Sequence, residues 1–356
     1  MISSLTLVDF RNHRHARIET CGRKNIIITG PNGTGKTAIL EAVSMLGGDR
    51  GLRGSPMTEI ANFYGSGGFN IFANLADDTE ISVFFSKDDS NRRARIDNDS
   101  APLSDLGAHL RIVWLTPHED RVFVDSAAGR RDFFDRLVAA FDTPHSGRAA
   151  RLARLLSERG FALKSGADGN WLDALEIQIA QTAVAVAAAR VRYAGEINYF
   201  LKNCAVSVSG RIESQLLDAS AMDAEKSYLE YLSANRCLQG DKMIIDGAHK
   251  SDFGVFNKML DLPANLTSTG QQKSVLMDLI LAHARLVRAK TGRAALVLLD
   301  EAAAHLDEAA RSRMFAELSA AEAQVWATGL DPEVFADIRG AAFFTCGCGT
   351  IYQINN

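Results

Sequence analysis

Residues 30–37 of the chain are Gly30-Pro31-Asn32-Gly33-Thr34-Gly35-Lys36-Thr37. They match the phosphate-binding pattern G-x-x-x-x-G-K-[ST] at every fixed position. The apolar run Ile26-Ile27-Ile28 precedes the pattern and predicts a buried strand, and the apolar residues after Thr37 predict a helix. The alternative is a glycine-rich turn that matches by chance, and the flanking strand and helix argue against it. The order of strand, loop and helix therefore indicates a site for phosphate groups.

The residue types in this loop suit a nucleoside triphosphate bound with Mg²⁺. Glycines let successive backbone N–H groups turn toward the phosphates, and the helix N-terminus adds the positive end of its dipole. We expect Lys36 to bridge the β- and γ-phosphates and the Thr37 hydroxyl to ligate Mg²⁺. Every residue from 30 to 37 is therefore predicted to contact the nucleotide.

Composition limits the organisation of the protein. The 356 residues exceed what one hydrophobic core usually serves, and the hydrophobic fraction of 47% is that of a globular protein. About two domains, or one domain with a large insertion, are expected. The sequence shows no signal peptide after Met1 and no apolar run that approaches membrane-spanning length, so we predict a cytoplasmic protein with no membrane contact.

Cysteine use and net charge narrow the function classes. The five cysteines are few and scattered, which favours a reducing compartment over a disulfide framework. The close pair Cys346 and Cys348 lacks a second pair to complete a metal site, so we expect ordinary thiols. A formal net charge of −4 argues against a generally basic surface. Any nucleic-acid contact must come from a local patch, or from a surface assembled when two subunits meet.

Strand patterns lie toward both ends of the chain. Residues 5–10 alternate and predict a strand, which a basic loop at residues 11–15 follows. Residues 69–75, 80–85 and 92–96 predict three short strands separated by turns. These runs indicate an antiparallel patch beside the nucleotide core.

Helical periodicity predominates from Phe133 to about Ser207. An alanine-rich stretch around residues 178–192 predicts one helix of about 30 residues, which would form an arm. Four arginines that precede this stretch lie at near-helical spacing, on one side of a predicted helix. That side could be exposed to solvent or could face phosphate, and the sequence favours neither. The four arginines are Arg148, Arg151, Arg154 and Arg159. Residues 228–238 predict a shorter helix.

Two carboxylates follow an apolar strand near the C-terminus. The run Leu296-Val297-Leu298-Leu299 predicts that strand, and Asp300 and Glu301 come directly after it. We expect Asp300 to hold Mg²⁺ and Glu301 to polarise the attacking water. The adjacent acids favour an ABC-type hydrolase over a kinase or small GTPase, and the alternative is a pair of solvated acids that cap the strand. Lys36 and Glu301 are the predicted catalytic residues.

A second candidate anion site lies upstream of this strand. Ser268-Thr269-Gly270-Gln271 open a predicted helix over residues 271–290, and a serine hydroxyl, a glycine backbone and a helix N-terminus can together bind an anion. One chain has little use for two γ-phosphate sites. We therefore expect Ser268, Gly270 and Gln271 to complete the nucleotide site of a second subunit.

The motifs in this order resemble the Walker A, signature, Walker B and D-loop series of ABC ATPases, with the D-loop at Ala304-His305-Leu306-Asp307. Residues 38–267 between the first two motifs are too few for the coiled coils of SMC and Rad50 proteins and too many for a transporter subunit. An insertion of this size resembles the RecF family. Further segments resemble RecF motifs: Leu5-Thr6-Leu7-Val8-Asp9-Phe10-Arg11-Asn12, Leu115-Thr116-Pro117 with Gly129-Arg130-Arg131-Asp132-Phe133-Phe134-Asp135-Arg136, and Gly247-Ala248-His249-Lys250-Ser251-Asp252.

The chain also departs from these family patterns. Ala248 replaces the usual proline, no leucine directly precedes Ser268, and Thr328 stands at the switch position where transporters carry histidine. For Arg130 and Arg131, contact with phosphate and a helix-capping or ion-pair role are equally open.

The resemblance implies an α/β fold: an ABC-type P-loop ATPase head, with a mixed sheet and an antiparallel β patch, and an inserted, mainly helical arm domain. The head would comprise residues 1–120 and 260–356, and the arm residues 121–259. It implies a slow Mg²⁺-dependent ATPase that forms a homodimer on ATP, binds DNA at gaps or junctions, and works with RecO and RecR to load recombinase. The alternatives are a soluble ATPase subunit of an ABC transporter and a nucleotide-gated binding protein with negligible hydrolysis.

Overall fold

The computed structural model describes residues 1–89, 91–236, 245–301, 306, 308–347 and 349–354. The chain divides into two compact units, Met1–Asp120 with Leu279–Asn356, here the head unit, and Arg121–Asp278, here the inserted unit. The first division coincides with the boundary expected at residue 120. The second lies at residue 278 rather than 259, so the domain limits inferred from the sequence stay a prediction.

Two six-stranded sheets form the head unit. Its strands are β1 (Ile2–Phe10), β2 (His13–Glu19), β3 (Asn25–Thr29), β4 (Phe69–Leu75), β5 (Glu80–Phe85), β6 (Arg93–Ile96), β7 (Asp99–Ala101), β8 (Arg111–Leu115), β12 (Ala295–Leu299), β13 (Gln324–Gly329), β14 (Ala342–Gly347) and β15 (Thr350–Ile354). Its helices are α1 (Lys36–Met45), α2 (Met57–Ile60), α3 (Leu103–His109) and α10 (Glu308–Ala320).

Strands β9 (Cys204–Ser209), β10 (Asp252–Asn257) and β11 (Leu262–Pro263) form a small antiparallel sheet in the inserted unit. Its helices are α4 (Ala127–Phe141), α5 (His145–Ser165), α6 (Gly169–Asn198), α7 (Arg211–Asp218) and α8 (Ala221–Ala234). Helix α9 (Thr269–Thr291) contains the boundary between the two units. This mixture of elements confirms the predicted fold class.

The first sheet of the head unit positions the candidate site. Its order is β15-β14-β3-β13-β12-β8, and every neighbouring pair is parallel except β14 with β15. Strands β3, β12 and β13 are buried along their whole length, as expected for apolar strands covered on both faces. The segments that leave β3 and β12 therefore emerge at the same edge of the sheet. The predicted strands around residues 26–28 and 296–299 are confirmed.

The second sheet, β2-β1-β4-β5-β6-β7, is antiparallel and confirms the predicted patch. The basic loop predicted at residues 11–15 is wrong. Only Arg11 and Asn12 form a turn, and His13 begins β2, where it pairs with Phe10 of β1. Along β2 the buried side chains His13, Ala16 and Ile18 interrupt a basic run, and that run obscured the strand pattern.

Helix α6 has the predicted length of 30 residues. It packs against α5, α7, α8 and β9, so it is the core helix of its unit and not the projecting arm expected from the sequence. Two neighbouring predictions need correction. The helical region predicted to reach Ser207 gives way to β9, and α8 ends at Ala234. Residues 237 and 238 of that predicted helix lie outside the described residues.

Within the described part of the chain, α6 is the one helix long and apolar enough to cross a membrane, with a mean hydropathy of 1.3 in its best 18-residue window. The expectation that no apolar run approaches that length is therefore wrong at this helix. In the structure 61% of the window is buried. Packing inside the inserted unit accounts for its apolar character.

Candidate nucleotide site

The glycine-rich loop at residues 30–37 connects β3 to α1, as predicted. Gly35 caps α1 with a φ of 108°, and a Cβ atom there would lie 2.4 Å from Nε2 of His13. Gly30 has a φ of 139°, and a Cβ atom there would lie 2.3 Å from the carbonyl oxygen of Cys346. Both positions need glycine because the backbone is in a region that other residues avoid and because neighbouring atoms fill the space.

Lys36 is the first residue of α1 and is buried. Its Nζ donates hydrogen bonds to the carbonyl oxygens of Gly30 at 2.7 Å and Pro31 at 2.9 Å. The ammonium group thus lies over the loop that carries it. Phosphate oxygens in the loop would compete with these carbonyls for its N–H groups, and charge-assisted bonds of that kind are the stronger ones.

The two predicted Mg²⁺ ligands lie side by side. Thr37 donates a hydrogen bond from its hydroxyl to Oδ1 of Asp300 at 3.0 Å, although the two residues are far apart in sequence. The side chains fit Mg²⁺, which prefers carboxylate and hydroxyl oxygens and usually combines one or two protein carboxylates with substrate phosphates. Consistent with so sparse a donor set, no group of three or more His, Cys, Asp or Glu able to hold a metal occurs among the described residues.

Glu301 follows Asp300 and lines the same cleft as the loop. Its backbone has a φ of 57°, the left-handed region that is unfavourable for a side chain with a Cβ atom. The backbone N–H of Glu301 donates to Oγ1 of Thr328 at 3.0 Å, and Oγ1 of Thr328 donates to Oδ1 of Asp300 at 2.7 Å. The Asp300 carboxylate is therefore buried and bonded within the site rather than solvated, while Glu301 is anchored by its backbone and its half-buried side chain lines the cleft.

A cleft of about 470 Å³ lies within the head unit beside this loop. The loop residues Asn32, Gly33, Gly35, Lys36 and Thr37 line it, and so does Glu301. Its lining also includes Arg53, Glu59 and Phe63. A cleft of this size beside the predicted phosphate site lies in the range of small-molecule sites.

The turn between β1 and β2 supports the loop, a role that the sequence did not indicate. Asn12 donates from its side-chain amide to the carbonyl oxygen of Thr34 at 2.8 Å. His13 is fully buried, and its ring nitrogens lie 3.1 Å from the carbonyl oxygen of Gly35 and 2.9 Å from that of Gly349. These contacts join distant parts of the chain, so no local pattern could have revealed them.

Cys346 also contacts the loop. Its Sγ donates to the carbonyl oxygen of Thr34 at 3.0 Å, and burial raises the pKa of its thiol above the ordinary value. Cys346 therefore acts as an uncharged donor, in line with the ordinary thiol expected for it. Cys348 lies outside the described residues, as do Ala304, His305 and Asp307 of the predicted D-loop.

Ser268, Gly270 and Gln271 lie at the start of α9, in the part that packs with the inserted unit. The Ser268 backbone N–H donates to Oε1 of Gln271 at 2.9 Å, and the Gln271 backbone N–H lies 3.4 Å from Oγ of Ser268. This reciprocal pair is a capping box, which satisfies N–H groups at the helix start. Their contribution to a second subunit's nucleotide site stays a prediction.

The basic residues of the inserted unit that were candidates for phosphate contact bind protein groups. Arg130 donates to both carboxylate oxygens of Asp252, at 2.8 and 2.5 Å, and these hydrogen bonds lower the pKa of Asp252. Arg131 donates to the carbonyl oxygen of Ser251 at 2.8 Å. The ion-pair alternative therefore describes Arg130, and the two RecF-like segments at residues 129–136 and 247–252 are bonded to each other.

The four arginines of α5 do not share one environment. Arg159 is buried and pairs with Glu176, and Arg148 pairs with Asp142. Arg151 and Arg154 are exposed, and they contact Gln178 and Glu158 respectively. A single phosphate-facing row is therefore wrong for this helix.

A family model and curated relatives agree on the proteins that this chain resembles. A family model described as "RecF/RecN/SMC N terminal domain" matches residues 1–343. The chain is 36% identical to a protein of Mesorhizobium japonicum named "DNA replication and repair protein RecF", over 98% of this chain and 97% of the relative. A protein of the same name from Rhizobium rhizogenes is 37% identical over 98% of both chains.

Solved structures show the same fold. A structure described as the recombination mediator protein RecF with ATP, in the RecFOR pathway, matches with a TM-score of 0.85 at 19% identity and covers 99% of both chains. The head domain of an Smc protein of Pyrococcus furiosus matches with a TM-score of 0.53 at 15% identity, over 99% of this chain and 95% of that one.

Proposed function

The chain belongs to the RecF family of ABC/SMC-like ATPases, and on that premise we propose that it is a slow Mg²⁺-dependent ATPase that binds DNA in recombinational repair. One observation carries the proposal: Lys36, Thr37, Asp300 and Glu301 converge at one edge of the parallel sheet, beside a cleft in the same unit. Their chemistry matches what phosphoryl transfer to water requires.

Each residue has a separate task in this proposal. Backbone N–H groups of residues 30–37 and the α1 N-terminus bind the phosphates of ATP. Lys36 would bind the phosphates of ATP, while Thr37 and Asp300 would hold Mg²⁺, which would offset phosphate charge. Glu301 accepts a proton from the water that attacks the γ-phosphate. Positioning and electrostatic stabilisation supply most of the catalysis in such sites.

The dimer and its partners form the second part of the proposal. Ser268, Gly270 and Gln271 of one subunit would complete the nucleotide site of another, so ATP would drive dimerisation. A net charge of −4 suits a chain whose DNA-binding surface exists only in the dimer. The ATP-bound dimer would hold DNA at gaps or junctions in the cytoplasm and, with RecO and RecR, help to load recombinase. Hydrolysis would then release it.

The test is ATP-dependent self-association, measured by light scattering with and without gapped duplex DNA. We expect ATP to produce dimers that DNA stabilises. Glu301→Gln should bind ATP, lose turnover by about 100-fold or more, and accumulate the dimer. Lys36→Ala should lose ATP affinity and remain monomeric.

Other outcomes would contradict specific parts of the proposal. Wild-type turnover in Glu301→Gln would remove the assignment of the general base. A wild-type chain that dimerises on ATP without measurable hydrolysis would instead be a nucleotide-gated binding protein. If the chain stays monomeric with ATP and does not bind DNA, a nucleotide site shared between two subunits would be excluded.

A further inference from the structure

Thr328 lies near the end of β13 and has no exposed surface. Strand β13 pairs in parallel with β12, and their register places Leu299 opposite Ala327. Asp300, which follows Leu299 at the end of β12, therefore lies beside Thr328, which follows Ala327 in β13. The hydroxyl of Thr328 reaches the candidate catalytic pair because of this register.

The Thr328 hydroxyl makes two directed hydrogen bonds with that pair. It donates to Oδ1 of Asp300 at 2.7 Å and accepts the backbone N–H of Glu301 at 3.0 Å. A hydroxyl has one donor and can accept in addition, so both bonds are satisfied together. One buried side chain thus fixes the carboxylate of one acid and the backbone of the next.

The backbone at Glu301 needs such support. A φ of 57° at a residue with a side chain costs conformational energy, and such residues persist only where their surroundings hold them. The N–H bond to Thr328 anchors this residue directly. The preceding N–H, of Asp300, donates to the carbonyl oxygen of Leu115 at 2.8 Å and anchors the other side of the turn.

The same hydroxyl also orients Asp300. Oδ1 of Asp300 accepts from Thr37 at 3.0 Å as well as from Thr328 at 2.7 Å. Two donors on one carboxylate oxygen restrict its rotation. The predicted Mg²⁺ ligands Thr37 and Asp300 are therefore connected through one short network to the backbone of Glu301.

We propose that Thr328 is a positioning residue for ATP hydrolysis. Through its two hydrogen bonds it orients Glu301 toward the attacking water and the Asp300 carboxylate toward Mg²⁺. Thr328 acts through these two residues, since its side chain is fully buried and does not line the cleft. This role rests on the proposed ATPase function. Transporters carry histidine at this switch position. Its larger ring would not fit the space between Asp300 and the Glu301 backbone that the Thr328 hydroxyl occupies without displacing neighbouring groups.

The test compares Thr328→Val with Thr328→Ser. Valine keeps the shape and removes the hydroxyl, while serine keeps the hydroxyl and removes a methyl group. We expect Thr328→Val to lower kcat by about 10- to 100-fold, since small misplacements of catalytic groups cost rates of that order. Its Kd for a fluorescent ATP analogue should stay close to wild type, because the loop at residues 30–37 is unchanged. Thr328→Ser should restore most of kcat.

Thr20→Val is the matched control. Thr20 is also completely buried in the head unit, and its single O–H donor faces the carbonyl oxygens of Ile2 and Ser3, each 3.1 Å away. Removing it should lower thermal stability much as Thr328→Val does and leave kcat at the wild-type value. An equal fall in kcat in both variants would reduce Thr328 to a structural role and overturn the inference.

The experiment separates this inference from the proposed function. If wild type hydrolyses ATP and Thr328→Val does so equally fast, the positioning role is wrong and the ATPase stands. If wild type shows no turnover, or Glu301→Gln keeps it, the proposed function fails first. Should Thr328→Val not fold, Thr328→Ala removes the same hydroxyl without a second branch, and a kcat for it equal to that of Thr328→Ser would overturn the inference.

Discussion

The phosphate loop with Asp300, in the head unit, and the helices of the inserted unit use buried charge in opposite ways. In the head unit, the Lys36 ammonium is bonded to backbone carbonyls and the Asp300 carboxylate accepts two hydroxyl groups, all beside an open cleft. In the inserted unit, buried arginines meet carboxylates directly: Arg159 binds Glu176 at 2.8 Å, and Arg190 binds Asp135 at 2.8 and 2.7 Å. The charged groups around the phosphate loop can exchange their neutral partners for a ligand. The arginines of the inserted unit are already neutralised by carboxylates.

This difference separates residues that serve a ligand from residues that serve the fold. Breaking a buried ion pair leaves an uncompensated charge, so such pairs hold the helices that carry them in one arrangement. At the phosphate loop the partners of each charged group are neutral carbonyls or hydroxyls, so a phosphate can replace a carbonyl on Lys36 without leaving a second charge buried and unpaired. We therefore expect substitutions at the buried ion pairs of the inserted unit to lower stability. Substitutions around the phosphate loop of the head unit should mainly change ligand binding.

The largest effect should come from Glu176→Ala. It leaves Arg159, with 3% of its side chain exposed, without its carboxylate, and it also removes a bond to Arg236. We expect a loss of about 3–5 kcal/mol in the free energy of unfolding, measured with urea by circular dichroism. ATP affinity of the folded variant should not change, since the head unit is intact.

Glu158→Ala is the control for that change. Glu158 lies 3.8 Å from Arg154 on the same helix, and both side chains are exposed, so its loss should cost less than about 1 kcal/mol. Equal unfolding free energies for the two variants would show that the buried network does not stabilise the inserted unit, and the contrast between the units would disappear.

The sequence alone predicts the parts of this site that depend on local patterns. The loop at residues 30–37 could be placed because glycine spacing, an apolar strand and a helix are adjacent in the chain. Asp300 could be paired with Thr37 because parallel strands end at one edge of a sheet. The Thr328 contact depends on the register of β13 with β12, and the His13 contact depends on a turn folding onto the loop. Neither leaves a local signal. The buried pairing of Arg159 was likewise not predicted, because its partner Glu176 lies on another helix.

An intermediate effect is expected from the pH dependence of the inserted unit. Burial alone would raise the pKa of Asp135, but hydrogen bonds from His145 and Arg190 outweigh it and lower the pKa to about 2. A depressed pKa stabilises the fold above the ordinary value of 3.8 and ceases to do so as pH falls toward 2. The contribution is on the order of 2 kcal/mol.

Asp135→Asn tests this dependence. The variant should be less stable at pH 7 and lose less stability than wild type between about pH 5 and pH 2, as followed by urea titrations at each pH. Asp142→Asn is a comparison within the same unit, because its partners Arg148 and Arg192 are partly exposed. Parallel acid profiles for wild type and Asp135→Asn would mean that the Asp135 network does not control acid stability.

The smallest effect concerns the support of the loop in the head unit. The ring nitrogens of His13 face the carbonyl oxygens of Gly349 and Gly35, at 2.9 and 3.1 Å, and a ring N–H can donate to a carbonyl there. His13→Gln cannot span Gly35 and Gly349 with the same rigid geometry, and ATP affinity should fall by about three- to tenfold, as expected for one net hydrogen bond. Isothermal titration with ATP measures the change. His15→Gln, an exposed position on the same strand, should bind ATP like wild type. If both variants bind ATP equally well, the turn between β1 and β2 is merely adjacent to the loop, and the loop at residues 30–37 is positioned by its own glycines and by α1.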